Sequence, residues 1–119
     1  MPCRTAAVKP AAEYPQDDMR SWDERWQPGN YEKNVEAIGQ LAELARGRAI
    51  TVTQLALAWL LAQGEDIVPI PGTRRPERLA ENVGAVEVAL TEEDLERVAE
   101  ILPDGAFGSR YPQAMMPQW

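Results

Sequence analysis

A chain of 119 residues holds at most one domain, and its 45% apolar and 26% charged residues are ordinary for a soluble globular protein. Nineteen acidic against twelve basic side chains leave a net charge of −7, which argues against general affinity for nucleic acid or an anionic membrane surface. There is no histidine, so Ser-His-Asp and Cys-His nucleophilic pairs and histidine metal sites are excluded; the single cysteine, Cys3, allows no internal disulfide and fits a reducing cytoplasm.

In chain order, residues 1–16 lack hydrophobic periodicity and read as an irregular arm, without the continuous apolar stretch of a cleaved signal peptide. Residues 17–30 are charged, hold Trp22 and Trp26, and reach a turn at Pro28 and Gly29. The first strong helix follows in "NYEKNVEAIGQLAELARGR". Asn30 is its N-cap candidate, Val35, Ile38, Leu41, Ala42 and Ala45 recur at helical spacing, and it ends near Gly47. A second helix is predicted over 52–63, capped by Thr51 and stopped by Gly64. Its Leu55, Leu57, Trp59, Leu60 and Leu61 point all round the cylinder, so neighbours are expected to enclose it. The longest apolar run, 55–62, is far short of the ~20 residues of a spanning helix, so no membrane partner is expected.

"DIVPIPGT" reads as one short strand, 67–70, with Pro69 and Pro71 removing two ladder donors. Pro76 suits the first position of a third helix that runs to about Val83 and stops at Gly84. A fourth helix has Thr91 as cap, Asp94 at the capping-box position and Leu90 with Leu95 as a hydrophobic staple. Leu95, Val98, Ala99 and Leu102 form its expected buried stripe, Pro103 ends it, and the tail is loop-like. A lone strand leaves its ladder groups unpaired, so this mostly helical pattern looks cut from something larger.

"IPGTRRPERLAEN" stands out in so acidic a chain. It sets a glycine-containing loop between strand and helix N-terminus, where free N–H groups and the helix dipole favour an anion. Thr73 can add a hydroxyl, Arg74, Arg75 and Arg78 offer guanidinium forks, and Glu81 and Asn82 can meet a base edge. A plainer reading also stands: a solvated face with Glu77–Arg78 or Arg78–Glu81 pairs, its arginines tolerated against the dipole. The stretch has no Walker lysine and does not match G-x-G-x-x-G.

From about Asp17 to "GSRYPQAMM", residues 17–116, the chain resembles the C-terminal part of the aldo-keto reductases. "ALAWLLAQG", "PIPGT" and "ENVGA" carry the likeness, in order. The resemblance implies an α/β fold: a C-terminal fragment of a (β/α)8 TIM barrel, with a barrel strand at 67–70 and an NADPH adenosine-binding loop and helix after it. Thr73 then matches the hydroxyl beside the 2′-phosphate, Arg78 the arginine meeting the 2′-phosphate and adenine, and Glu81 with Asn82 the pair at the adenine edge. Gly72 stands where some branches carry a phosphate-binding lysine, and Arg74 or Arg75 is expected to supply that charge. The family's catalytic Asp, Tyr, Lys and His have no counterparts here. The chain has no histidine, and Tyr14, Tyr31, Tyr111, Lys9 and Lys33 fall outside the matching motifs.

A complete barrel takes ~250 residues and eight strand–helix units, of which this chain offers about one and a half. Alone it is therefore expected to be inactive, unstable and a weak NADPH binder at best, completed by the missing N-terminal barrel portion or by self-association. The competing expectation is a stand-alone helical interaction or oligomerisation module. DNA binding fits poorly, because "GEDIVPIPGT" is longer than a helix-turn-helix linker and the chain is acidic.

Overall fold

The computed structural model describes residues 8–116, so Cys3 and the rest of residues 1–7 lie outside it, as do 117–119. Four α-helices are found among the described residues: α1 (Asn30–Gly47), α2 (Val52–Leu61), α3 (Pro76–Gly84) and α4 (Glu92–Ile101). The chain divides into two compact units, one of residues 8–40 with 102–116, the other of Leu41–Ile101.

The first unit is held by polar side chains more than by apolar burial. Short 3-10 turns run over Ala11–Glu13, Met19–Ser21 and Glu24–Trp26, the last two capped by Asp18 and Asp23, whose carboxylates accept the backbone N–H groups of Arg20 and Arg25. Asn34 on α1 grips the C-terminal segment twice: its Oδ1 accepts Phe107 N–H at 2.9 Å and its Nδ2 donates to Phe107 C=O at 2.8 Å. Arg25 Nε donates to Gly108 C=O at 3.2 Å, beside Ser109 N–H on Glu24 Oε2 at 2.9 Å. Gly108 has φ +91°, and a Cβ there would lie 3.0 Å from Arg25 N and 2.9 Å from Asn30 Nδ2, so glycine is needed for both conformation and space.

The second unit contains the arginine loop. The expected stop of α1 at Gly47 is met, yet the residue in the left-handed region is Ala49, with φ 55°. Ile50 N–H reaches back to Ala45 C=O at 3.0 Å, the six-to-one bond of a Schellman cap. Thr51 caps α2 as expected, and Gln54 returns the bond: its N–H donates to Thr51 Oγ1 at 3.1 Å while its Oε1 accepts Thr51 N–H at 3.2 Å. The helix ends at Leu61, short of Gln63. It packs on α3 and on the 3-10 turn Ala85–Glu87 that continues α3.

Three expectations fail here. The strand at 67–70 does not form, and no strand is found among the described residues. A strand exists only by pairing, and none of the described residues pairs with this segment as a ladder; Val68 and Ile70 are 79% and 91% exposed. Nor is α2 enclosed: Leu55 and Ala58 are buried, while Leu60 and Leu61 stay exposed, since the unit covers only one of its faces. On α4 the buried residues are Asp94 and Ile101, two turns apart, and Ala99 of the expected stripe is exposed.

The capping box of α4 forms as read, with Asp94 N–H on Thr91 Oγ1 at 3.2 Å and Thr91 N–H on Asp94 Oδ2 at 2.9 Å. Arg48, just beyond α1, closes over it. Its Nε meets Asp94 Oδ1 at 2.9 Å, and its Nη2 meets Asp94 Oδ2 at 2.5 Å and Thr91 Oγ1 at 2.9 Å. Burial alone would raise the Asp94 carboxyl; the Thr91 backbone, the Arg48 guanidinium and the Thr91 hydroxyl outweigh it and hold the group below its ordinary value. This polar clasp matters because the apolar core is thin. Most of the buried apolar residues are alanines, and no large side chain among the described residues is fully buried.

Candidate functional site

Beyond α2 the chain passes through turns and a mostly exposed irregular stretch and arrives at Gly72, Thr73, Arg74 and Arg75, just ahead of α3. Thr73 is half-buried, and its Oγ1 accepts the Arg75 N–H at 3.2 Å, which leaves the hydroxyl proton free to donate. Arg75 is the N-cap of α3, without a side-chain cap of its own, and Pro76 occupies the first turn. The Arg75 carbonyl takes the N–H groups of Arg78 and Leu79 at 3.1 and 3.0 Å, so the helix starts cleanly at the point the sequence marked.

Arg74, Arg75 and Arg78 are exposed, and among the described residues none of them has a carboxylate within ion-pair distance. The Glu77–Arg78 and Arg78–Glu81 pairs of the plainer reading do not form. Of the other arginines among the described residues, Arg20, Arg46, Arg48 and Arg97 hold a carboxylate, while Arg25 donates to the Gly108 carbonyl and Arg110 lies over the Tyr111 ring. One short stretch of loop and helix therefore carries three unneutralised guanidinium forks in a chain of net charge −7. Glu81 and Asn82, one turn beyond Arg78, are half-buried on α3. Around a Cβ placed at Gly72 no atom lies within 4 Å, so the glycine is not demanded by crowding.

Each of these positions stands out in the sequence, whereas Gln54 does not. Its Nε2 donates to the Glu81 carbonyl at 3.0 Å, tying the start of α2 to α3. The visible signal was Thr51-x-x-Gln54, a capping-box pattern, which announces the cap and not the second bond. Two hollows lie elsewhere. One, about 510 Å³, is open and bordered by charges of both signs, among them Glu43, Arg48, Glu96 and Arg97; the other, about 320 Å³, is apolar and lies in the first unit around Trp26, Val35 and Ile38. Neither includes the arginine loop, which is an open surface.

The family model for the aldo/keto reductase family matches residues 9–103. The chain belongs to that family. Among curated relatives, the aldo-keto reductase yakc of Schizosaccharomyces pombe, whose name specifies NADP(+), is 41% identical over 109 residues, 91% of this chain and 32% of its own length. Probable aldo-keto reductase 1 of Glycine max is 46% identical over 88 residues, 73% of this chain and 25% of its own. An aldo-keto reductase of Gibberella moniliformis is 37% identical over 103 residues, covering 84% and 30% respectively. The chain thus spans a quarter to a third of the length of these relatives. The match also takes in residues 9–16, part of the expected irregular arm. Among the described residues, no helix is long and apolar enough to cross a membrane.

Proposed function

We propose that this chain supplies the adenosine-phosphate end of an NADP(H) site in a (β/α)8 carbonyl reductase. The observation that carries this reading is the set of guanidiniums at Arg74, Arg75 and Arg78, left without carboxylates beside a Thr73 hydroxyl whose proton is not used within the loop. Their chemistry fits a phosphate monoester: planar forks that match its oxygens, a hydroxyl donor and a helix N-terminus. Arg78 and Thr73 take the 2′-phosphate, Arg74 or Arg75 adds charge beside Gly72, and Glu81 with Asn82 face the adenine edge. NADPH supplies the hydride for carbonyl reduction. This chain's residues hold the far end of the cofactor and make 2′-phosphorylated nucleotide preferable to the unphosphorylated form.

The general acid and its partners belong to other parts of the barrel in this reading, so the chain by itself performs no hydride transfer. The exposed Val68, Ile70, Leu79, Val83 and Val86 are then surfaces that the remaining barrel covers, and the isolated chain binds nucleotide weakly.

Nuclear magnetic resonance titration with 2′,5′-ADP and 5′-AMP tests the reading, since it detects weak binding. Arg78→Ala is expected to lower affinity for 2′,5′-ADP by about tenfold, because a charge-assisted contact contributes about 1.5–3 kcal/mol and exposure reduces it. Affinity for 5′-AMP is expected to change little. Equal losses for both nucleotides would defeat the 2′-phosphate assignment.

A further inference from the structure

The Glu81 carbonyl lies where α3 tightens. The regular helical donor for it is the Ala85 N–H, but that group turns to Asn82 and Val83 as the chain enters the 3-10 turn Ala85–Glu87. Gln54 Nε2 takes the vacated place at 3.0 Å. The same amide accepts Thr51 N–H through its Oε1 at 3.2 Å, so one side chain serves the cap with its oxygen and the tie to α3 with its nitrogen. Gly84 makes room for this arrangement: a Cβ there would sit 2.8 Å from Gln54 Nε2, with no other atom within 4 Å.

We propose that Gln54 is a positioning residue for the adenosine clamp. It pins the turn of α3 that carries Glu81 and Asn82, and so sets where those side chains meet the base. This inference rests on the NADP(H) reading above. The pin acts on the adenosine half common to both test nucleotides, whereas the 2′-phosphate is discriminated by Thr73 and Arg78 at the other end of α3.

Two variants separate pinning from capping. Gln54→Glu keeps the oxygen that accepts Thr51 N–H but loses the donor and sets a carboxylate oxygen against the Glu81 carbonyl. Gly84→Ala leaves the cap alone and pushes the amide away with its new Cβ. In both, affinity per folded molecule is expected to fall about three- to tenfold for 2′,5′-ADP and 5′-AMP alike, with their ratio unchanged, as loss of one positioning hydrogen bond implies. Amide exchange is expected to quicken at the end of α3 and not along α2. A purely structural role would lower protection in both helices while leaving affinity per folded molecule intact, and that result overturns the proposal. Silence of the unsubstituted chain toward both nucleotides overturns the cofactor reading and this inference with it. Binding by the unsubstituted chain that both variants match overturns the positioning role alone.

Discussion

Replacing Asp94 by alanine takes away a carboxylate that answers three groups at once: the Thr91 N–H and the Nε and Nη2 of Arg48. Loss of the reciprocal cap leaves one orphan N–H at the start of α4, a cost of about 1 kcal/mol. The Arg48 contacts are charge-assisted and bidentate, but 39% of that side chain is exposed and its guanidinium can rehydrate. They therefore add about 1–2 kcal/mol rather than the larger penalty of stranding a fully buried charge. Together the loss is about 2–3 kcal/mol in the opening free energy of α4. Asp94→Asn retains an oxygen for Thr91 and is expected to lose about half of that.

Native-state amide exchange along α4 measures both variants without requiring that the whole chain melt in one step. The pH dependence supplies a second check. The Asp94 carboxyl is held below its ordinary value in the fold, so its contribution is complete above the unfolded value of about 3.9 and disappears as pH falls through the lower, folded one. The gap between the natural chain and Asp94→Asn is then constant near neutral pH and shrinks below about pH 4. A change under about 0.5 kcal/mol in Asp94→Ala, or a gap that widens in acid, refutes the reasoning.

Gly72→Lys places a flexible cation beside Thr73 where no atom stands within 4 Å of the new Cβ. It is expected to raise affinity for 2′,5′-ADP about three- to tenfold, consistent with one added charged contact at an exposed site, and to leave 5′-AMP nearly unchanged in the same titration. Gly108→Ala forces a side chain to φ +91° against the Arg25 and Glu24 backbone, and is expected to cost about 2–4 kcal/mol in urea unfolding followed by tryptophan fluorescence. Gly47→Ala, at an uncrowded helical position with no positive φ, is the control and is expected to be neutral or slightly stabilising.

Where structure depends on neighbours in sequence, the chain could be read directly. Thr51 and Thr91 announced their helices, Pro76 marked the start of α3, and the Thr91–Asp94 box formed as spaced. The arginine loop was legible for the same reason, since its residues lie within one turn and one short connection. What escaped were pairings across the chain. Asp94 is buried because Arg48, 46 positions away, covers it, and no local pattern signals that contact. Gln54 finds Glu81 across 27 positions, and Asn34 finds Phe107 across 73. The end of α1 near Gly47 was legible, but not that Ala49 would take the left-handed conformation, because the closing bond is fixed by Ile50 reaching Ala45. The strand failed for the same reason: "DIVPIPGT" has strand composition, but a ladder belongs to two segments, and no partner for it is found among the described residues.

That unpaired segment has an asymmetry with a bearing on aggregation. Along an extended chain, alternate residues turn their N–H groups to the same edge, so Pro69 and Pro71 empty one edge of donors, while Val68, Ile70 and Gly72 keep theirs on the other. Drawn into a sheet, the segment can accept hydrogen bonds along both edges but donate them along only one. A cross-β fibril needs every copy to bond both to the chain above and to the chain below. However apolar and exposed they are, Val68 and Ile70 therefore sit in a strip of backbone that propagates a stack of strands poorly, because each copy lacks two donors along one edge.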